Sequence, residues 1–113
     1  MVKGNREIYE VTYNKLVRDN IPSIIEENNK SYTTHIADED EYRAALLMKL
    51  NEETMEFISE PCVEELADIL EVIDALKHTF KIEDDEVERV KSRKRTERGG
   101  FEKRIILETV YKK

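Results

Sequence analysis

Apolar positions recur at three- and four-residue spacing through most of this chain, and the pattern predicts four helices. The first is a short helix after a lead-in within "VTYNKLVRDNIPSIIEENN": Asp19 or Asn20 can cap it, and Pro22 fits its first turn, where a missing N–H costs nothing. Asp38 followed by Glu41 has the form of a capping pair opening a long helix over about 39–58. Pro61 marks the start of a third helix running to about 79. A fourth spans about 83–98 and stops at Gly99-Gly100. The stretches 31–37 ("SYTTHIA") and 104–110 ("RIILETV") read instead as short strands that could pair. The expected fold class is all-α, a four-helix-type bundle around a carboxylate site, with that two-stranded element as a minor addition.

At about 100° per residue, the second helix carries an apolar stripe of Leu46, Phe57, Leu50, Leu47 and Ile58. Glu53 stands at its edge, and Glu56 follows one turn along. The third helix repeats the arrangement: Val72, Leu76, Ile69, Ile73, Leu66 and Leu70 form the stripe, Glu65 the edge, and Asp68 the acid three residues on. A short connection through Ser59, Glu60 and Pro61 favours an antiparallel pair. Packing the two stripes together brings Glu53, Glu56, Glu65 and Asp68 towards one another. Four converging carboxylates repel and raise one another's pKa, and a hard divalent cation relieves them. The plain alternative is four solvated boundary residues. Glu64, Glu71 and Asp74 read that way.

Composition narrows the picture. The 113 residues form one domain by length, 39% hydrophobic and 40% charged, with a net charge of −7 that disfavours a general nucleic-acid binder. Residues 89–104 nonetheless hold eight Lys or Arg against two Glu. Lys91, Lys94, Arg95 and Arg98 lie along one face of the fourth helix, as a phosphate-binding stripe or as cations meeting the helix dipole. The single Cys62 rules out an intramolecular disulfide and a cysteine zinc site. No apolar run approaches membrane-spanning length and no signal-peptide pattern is present, so a cytoplasmic protein is expected, with no membrane partner. His35 and His78 lack metal-ligand spacing.

Three blocks together resemble the MazG-like, all-α nucleotide pyrophosphohydrolases, the superfamily that includes phosphoribosyl-ATP pyrophosphohydrolase. They are "EETME" (52–56), "EELAD" (64–68, matching through Glu65 and Asp68), and "KLVRDNIP" (15–22), the last found in short stand-alone members. "RGGF" (98–101) and the apolar tail fit the same subgroup. The resemblance covers roughly residues 13–110. It implies Mg²⁺, with Mn²⁺ as a substitute, and cleavage of a nucleoside triphosphate between its α and β phosphates to the monophosphate and pyrophosphate.

By the matching positions, Glu53, Glu56, Glu65 and Asp68 would bind metal, and Glu52 and Glu53 would serve catalysis. Lys15, Arg18, Lys91, Arg95 and Arg98 would lie towards the substrate. Lys15 and Arg18 have a second reading, as anchors of the N-terminal segment to the acidic body. The substrate would be a non-standard nucleotide or, alternatively, phosphoribosyl-ATP of histidine biosynthesis. The family also implies a dimer or tetramer, and the wide apolar arc of the third helix suits a subunit interface. A function of another class stays open: a non-catalytic helical module whose basic fourth helix binds nucleic acid or a partner.

Overall fold

The computed structural model describes residues 10–113. Four helices occupy the described chain in the order α1 (Ile21–Glu27), α2 (Glu39–Ser59), α3 (Val63–Thr79) and α4 (Asp84–Arg98). The all-α class expected from the periodicity is what forms, and no residue among those described is in a strand. None of these helices is long and apolar enough to cross a membrane.

Several helix ends have a local reason, although the expected cap at the start of α1 does not form: Asn20 takes the N-cap position without a side-chain hydrogen bond. Pro22 sits in the first turn of α1, and Asn28 Nδ2 donates to the Ile24 carbonyl at its end (3.0 Å), with Asn29 in the left-handed region at φ 59°. At α2 the Asp38 carboxylate accepts from the Glu41 N–H (2.9 Å). The predicted capping pair is half realised, because the Glu41 side chain turns to His35 Nε2 instead (2.8 Å). Three acids, Glu39, Asp40 and Glu41, fill the first turn of α2, where the helix dipole favours them. Glu60 and Pro61 leave helical geometry, and α3 opens at Val63, two residues after the proline that signals it.

Asp84, Asp85 and Glu86 open α4, and Arg95 and Arg98 stand in its last turn. Gly99 closes it at φ 85°, a conformation that strains residues bearing a side chain, and its N–H donates to the Arg95 carbonyl (2.8 Å).

The two expected strands are a correction. Residues 31–37 and 104–110 carry no strand hydrogen bonds. Their β-branched and aliphatic residues stand in solvent, with Ile36 95% and Ile106 82% exposed. Strand propensity describes fit to a half-buried, paired surface, and without a ladder partner it specifies nothing. The consecutive run Ile105-Ile106-Leu107 also lacks the alternation that would give one face to a core.

By compactness the chain divides into a first unit ending at Leu76 and a second, Lys77–Lys113, the division falling within α3. In the first unit Leu46 of α2 and Val72 of α3 are the buried apolar residues among those described. Both belong to the stripes read from the sequence, but Leu47, Ile58, Leu66 and Leu70 of the same stripes stand 47–64% exposed, so only part of each stripe is covered. In the second unit Lys77 Nζ pairs with Asp84 (2.8 Å), and Ile82 N–H donates to the Lys77 carbonyl (2.8 Å) across the turn that leads into α4.

Candidate metal centre

The acidic site belongs to the first unit. Glu53, near the C-terminal end of α2, meets Glu65 and Asp68 from the first turns of α3, as an antiparallel pair with a short connection requires. One carboxylate oxygen from each lies within 4.8 Å of the others, and all three residues are partly buried. Three ionised oxygens that close repel one another, and screening by water is reduced where the residues are half covered. The Glu65 carboxyl shows the effect: its pKa is raised, first by burial and then by the charges of Glu56, Asp68 and Glu53. Oxygens gathered on two rigid helices, with one carboxyl reluctant to ionise, suit a hard divalent cation; oxygen-only donors are the ligands Mg²⁺ and Mn²⁺ take.

Glu56 stands differently from the other three. Its charge is felt at Glu65, yet it is exposed and is not among the converging oxygens. Periodicity alone gives Glu56 and Asp68 equivalent stations, so the difference arises from how the helices pack. Glu52 faces the N-terminal segment. Lys15 Nζ donates to its carboxylate at 2.9 Å, and Lys49 approaches the same oxygen at 3.4 Å. The Glu52 pKa is lowered, chiefly by the Lys15 hydrogen bond, with burial opposing and Lys49 adding to the effect. The Lys15 pKa is raised by the same bond.

Arg18 Nη2 donates to Asp68 at 2.7 Å. Lys15 and Arg18 thus tie the "KLVRD" segment to α2 and α3, which is the anchoring reading of these residues. Lys15 also stands 5.7 Å from the ring centre of Tyr13.

Lys49 is a site residue that the sequence reading passed over. It bridges Glu52 and Glu53, 3.4 Å from each, and its side chain is only 16% exposed against 42% for Lys15. Its signal was available: it precedes the two glutamates by three and four positions, the spacing at which helical ion pairs form. Beside this pair lies a cavity of about 270 Å³ between α2 and the N-terminal segment, walled by Asn14, Lys15, Leu16, Ala45, Met48, Lys49, Asn51 and Glu52.

The other predicted cations lie on α4, in the second unit. Lys91 is exposed, with Glu88 3.9 Å away on the preceding turn. Arg95 Nη2 donates to Glu102 at 3.0 Å, and Arg98 is exposed in the last turn. A Cβ at Gly100 would come within 2.5 Å of both the Arg95 guanidinium and the Glu102 carboxylate, so this glycine leaves room for the pair.

No family model matches this chain, and neither a curated protein nor a solved structure matches it. What stands is an all-α protein of four helices among the described residues, with a Glu53–Glu65–Asp68 cluster able to hold a metal ion.

Proposed function

We propose that the chain is a MazG-like nucleotide pyrophosphohydrolase, using Mg²⁺ or Mn²⁺ to hydrolyse the α–β phosphoanhydride of a nucleoside triphosphate. The observation that carries this reading is the convergence of Glu53, Glu65 and Asp68 at the positions its sequence blocks mark. Glu53, Glu65 and Asp68 hold the ion, and Glu56 stands beside them as a fourth carboxylate. A bound divalent ion supplies an acidified water and a counter-charge for phosphoryl oxygens. Glu52, kept ionised by Lys15 and Lys49, accepts a hydrogen bond from the attacking water and orients it. Lys15 and Arg18 sit on the acids without a ligand and can exchange them for phosphate oxygens. On α4, Lys91, Arg95 and Arg98 are the phosphate-binding cations of this reading, with Arg95 exchanging Glu102 for the anion. The substrate is a non-standard nucleoside triphosphate, with phosphoribosyl-ATP as the alternative.

A second reading rests on Lys15, Lys49 and Arg18. These three already counter Glu52, Glu53 and Asp68, so the same residues could be an ion-pair network in a non-catalytic module. One experiment separates the two. Pyrophosphate release is measured from standard and modified nucleoside triphosphates and from phosphoribosyl-ATP, with Mg²⁺ and with chelator, beside the Glu65→Gln variant. Release that needs the metal and disappears in the variant establishes the enzyme, and the preferred substrate names its role. No release from any substrate, with thermal stability indifferent to metal, rejects it in favour of the module.

A further inference from the structure

Asp68 has two claimants. It is one of the three carboxylates that converge as metal ligands, and it also accepts a hydrogen bond from Arg18 Nη2 at 2.7 Å. The same conflict recurs on α2. Lys49 Nζ lies 3.4 Å from Glu53, and Lys15 Nζ lies 2.9 Å from the adjoining Glu52. The chain therefore brings three cations of its own to the acids that suit a divalent ion.

These cations are held in two different ways. Lys49 belongs to α2, one turn before its glutamates, and travels with the helix that carries them. Lys15 and Arg18 come from outside the helix pair, 37 and 50 positions from their partners. Residues 10–17 make no backbone–backbone hydrogen bond among the described residues. Two ion pairs and the partly buried Leu16 are what fasten this segment to the helices. Both pairs are open to water, with the Lys15 side chain 42% and the Arg18 side chain 55% exposed. Such pairs are weak singly, so a modest change in the charge they face decides whether the segment stays.

A divalent ion makes that change. The five carboxylates Glu52, Glu53, Glu56, Glu65 and Asp68, set against the one positive charge of Lys49, leave a formal −4. An ion of charge +2 halves it, and with it the field that holds the segment. The loss falls hardest at Asp68. A carboxylate that shares its charge with a metal ion makes a poorer acceptor for a charge-assisted bond, whichever oxygen Arg18 uses. Lys15 and Arg18 together carry the same charge as the ion they face.

We infer that residues 15–18 are a built-in competitor of the metal ion: the docked segment and the divalent cation oppose each other on the same acids, and each loosens the other's hold. This coupling rests on the metal-centre reading proposed for those acids and adds a regulation to it. The metal-free protein closes the segment over its acids with its own cations. Loading with metal frees Lys15 and Arg18 for an anionic ligand, while Lys49 stays tethered in α2. Linkage makes the effect reciprocal: the factor that the closed segment takes from metal affinity is the factor that the ion takes from segment closure.

Two measurements test this, with Mn²⁺ alone as the probe. Titration calorimetry compares the wild type with Arg18→Gln and with Arg43→Gln, which removes the same charge ten positions before Glu53, about 15 Å along α2. Arg18→Gln is expected to bind Mn²⁺ at least about threefold more tightly, the scale of a partly exposed ion pair, and Arg43→Gln to bind as the wild type does. Limited trypsin digestion then reads the segment in the wild type, because the protease must take the Lys15 or Arg18 side chain into its own acidic pocket. Against KCl of equal ionic strength, Mn²⁺ should speed cleavage after residues 15 and 18 by a similar factor. Cleavage after Arg98 and Lys103 should not change, and circular dichroism keeps release of the segment apart from unfolding. Mn²⁺ that binds Arg18→Gln no more tightly than the wild type, or that fails to speed cleavage at 15 and 18, overturns the inference and leaves the metal centre standing. An equal gain in Arg43→Gln also overturns it, as a general effect of net charge. Absence of Mn²⁺ binding from all three proteins overturns the metal centre and the competition together.

Discussion

The acids of the first unit and the bases of the second are both clusters of like charge on helices, yet they behave differently. Glu53 keeps only 13% of its side chain exposed, and Glu65 has its pKa raised first by burial and then by neighbouring carboxylates, because two helices converge on one spot. On α4, Lys91 and Arg95 keep 73% and 65% of their side chains exposed, and each has a glutamate of its own unit nearby. Charges on one solvated helix face are screened within a Debye length, whereas charges delivered from two elements into a half-covered space are not. Local charge density in a sequence is therefore a poor guide to a site. Convergence is the better one.

The largest test of that contrast removes a member of the converging set. Asp68→Asn keeps shape and removes a charge, and metal-dependent pyrophosphate release is expected to fall at least about a hundredfold, read by steady-state kinetics. Double neutralisation of Lys91 and Arg95 on the screened helix should cost less than about tenfold, mainly in KM. An equal loss from both would erase the distinction.

Next in size is Lys49→Met. It leaves Glu52 and Glu53 without their most buried counter-charge, and metal-free stability should drop by about 1–2 kcal/mol. Added Mg²⁺ should recover part of the loss, because the ion binds Glu53, though not Glu52, in the folded state alone. Chemical denaturation with and without the metal reads both halves.

Smaller again is Lys15→Ala, about 0.5 kcal/mol for a partly exposed pair. Its pH signature has a fixed sign. The Glu52 pKa is lowered by folding, so its contribution is present above the ordinary glutamate range and disappears as pH falls through the lowered value. The Lys15 pKa is raised, so its share is present below the ordinary lysine range and disappears as pH climbs through the raised value. The difference between wild type and variant should therefore be flat around neutrality and shrink at both extremes. Glu65 runs the other way: with its pKa raised, its ionisation weakens the metal-free fold as pH rises. Glu65→Gln should be more stable than wild type at neutral pH without metal, and lose that advantage when metal is added.

The smallest effect belongs to Gly100→Ala. The added carbon meets only the far ends of the Arg95 and Glu102 side chains, which can swing aside. Helix content should be unchanged, with the Arg95–Glu102 pair broken at a cost under about 0.5 kcal/mol.

Much of this was legible because it is local. Caps at Asp38 and Gly99 and the prolines at 22 and 61 are short-range chemistry, and the four helices followed from them and from the apolar period. The meeting of Glu53, Glu65 and Asp68 was legible too, since two matched stripes joined by a short connection leave little freedom. The exposure of Glu56 was not, because a helical wheel cannot tell how far one helix rolls against the next. Lys15 and Arg18 had two readings because their partners lie 37 and 50 positions away, beyond any periodicity. The strands at 31–37 and 104–110 failed for the converse reason: pairing is a property of two segments, and propensity reports on one.

Those same separations bear on the order in which the chain organises itself. Helices α2 and α3 adjoin in sequence and can meet as soon as their connection turns. The Lys15–Glu52 and Arg18–Asp68 bonds must close loops of 37 and 50 residues, and both are largely solvent-accessible. Loop closure over such distances slows with contact order, and exposed polar ties are the first to open in native-state fluctuations. The "KLVRD" segment is therefore expected to dock after the helix pair forms and to open before it melts. Amides of residues 15–18 should exchange with solvent well ahead of those in the middle of α2.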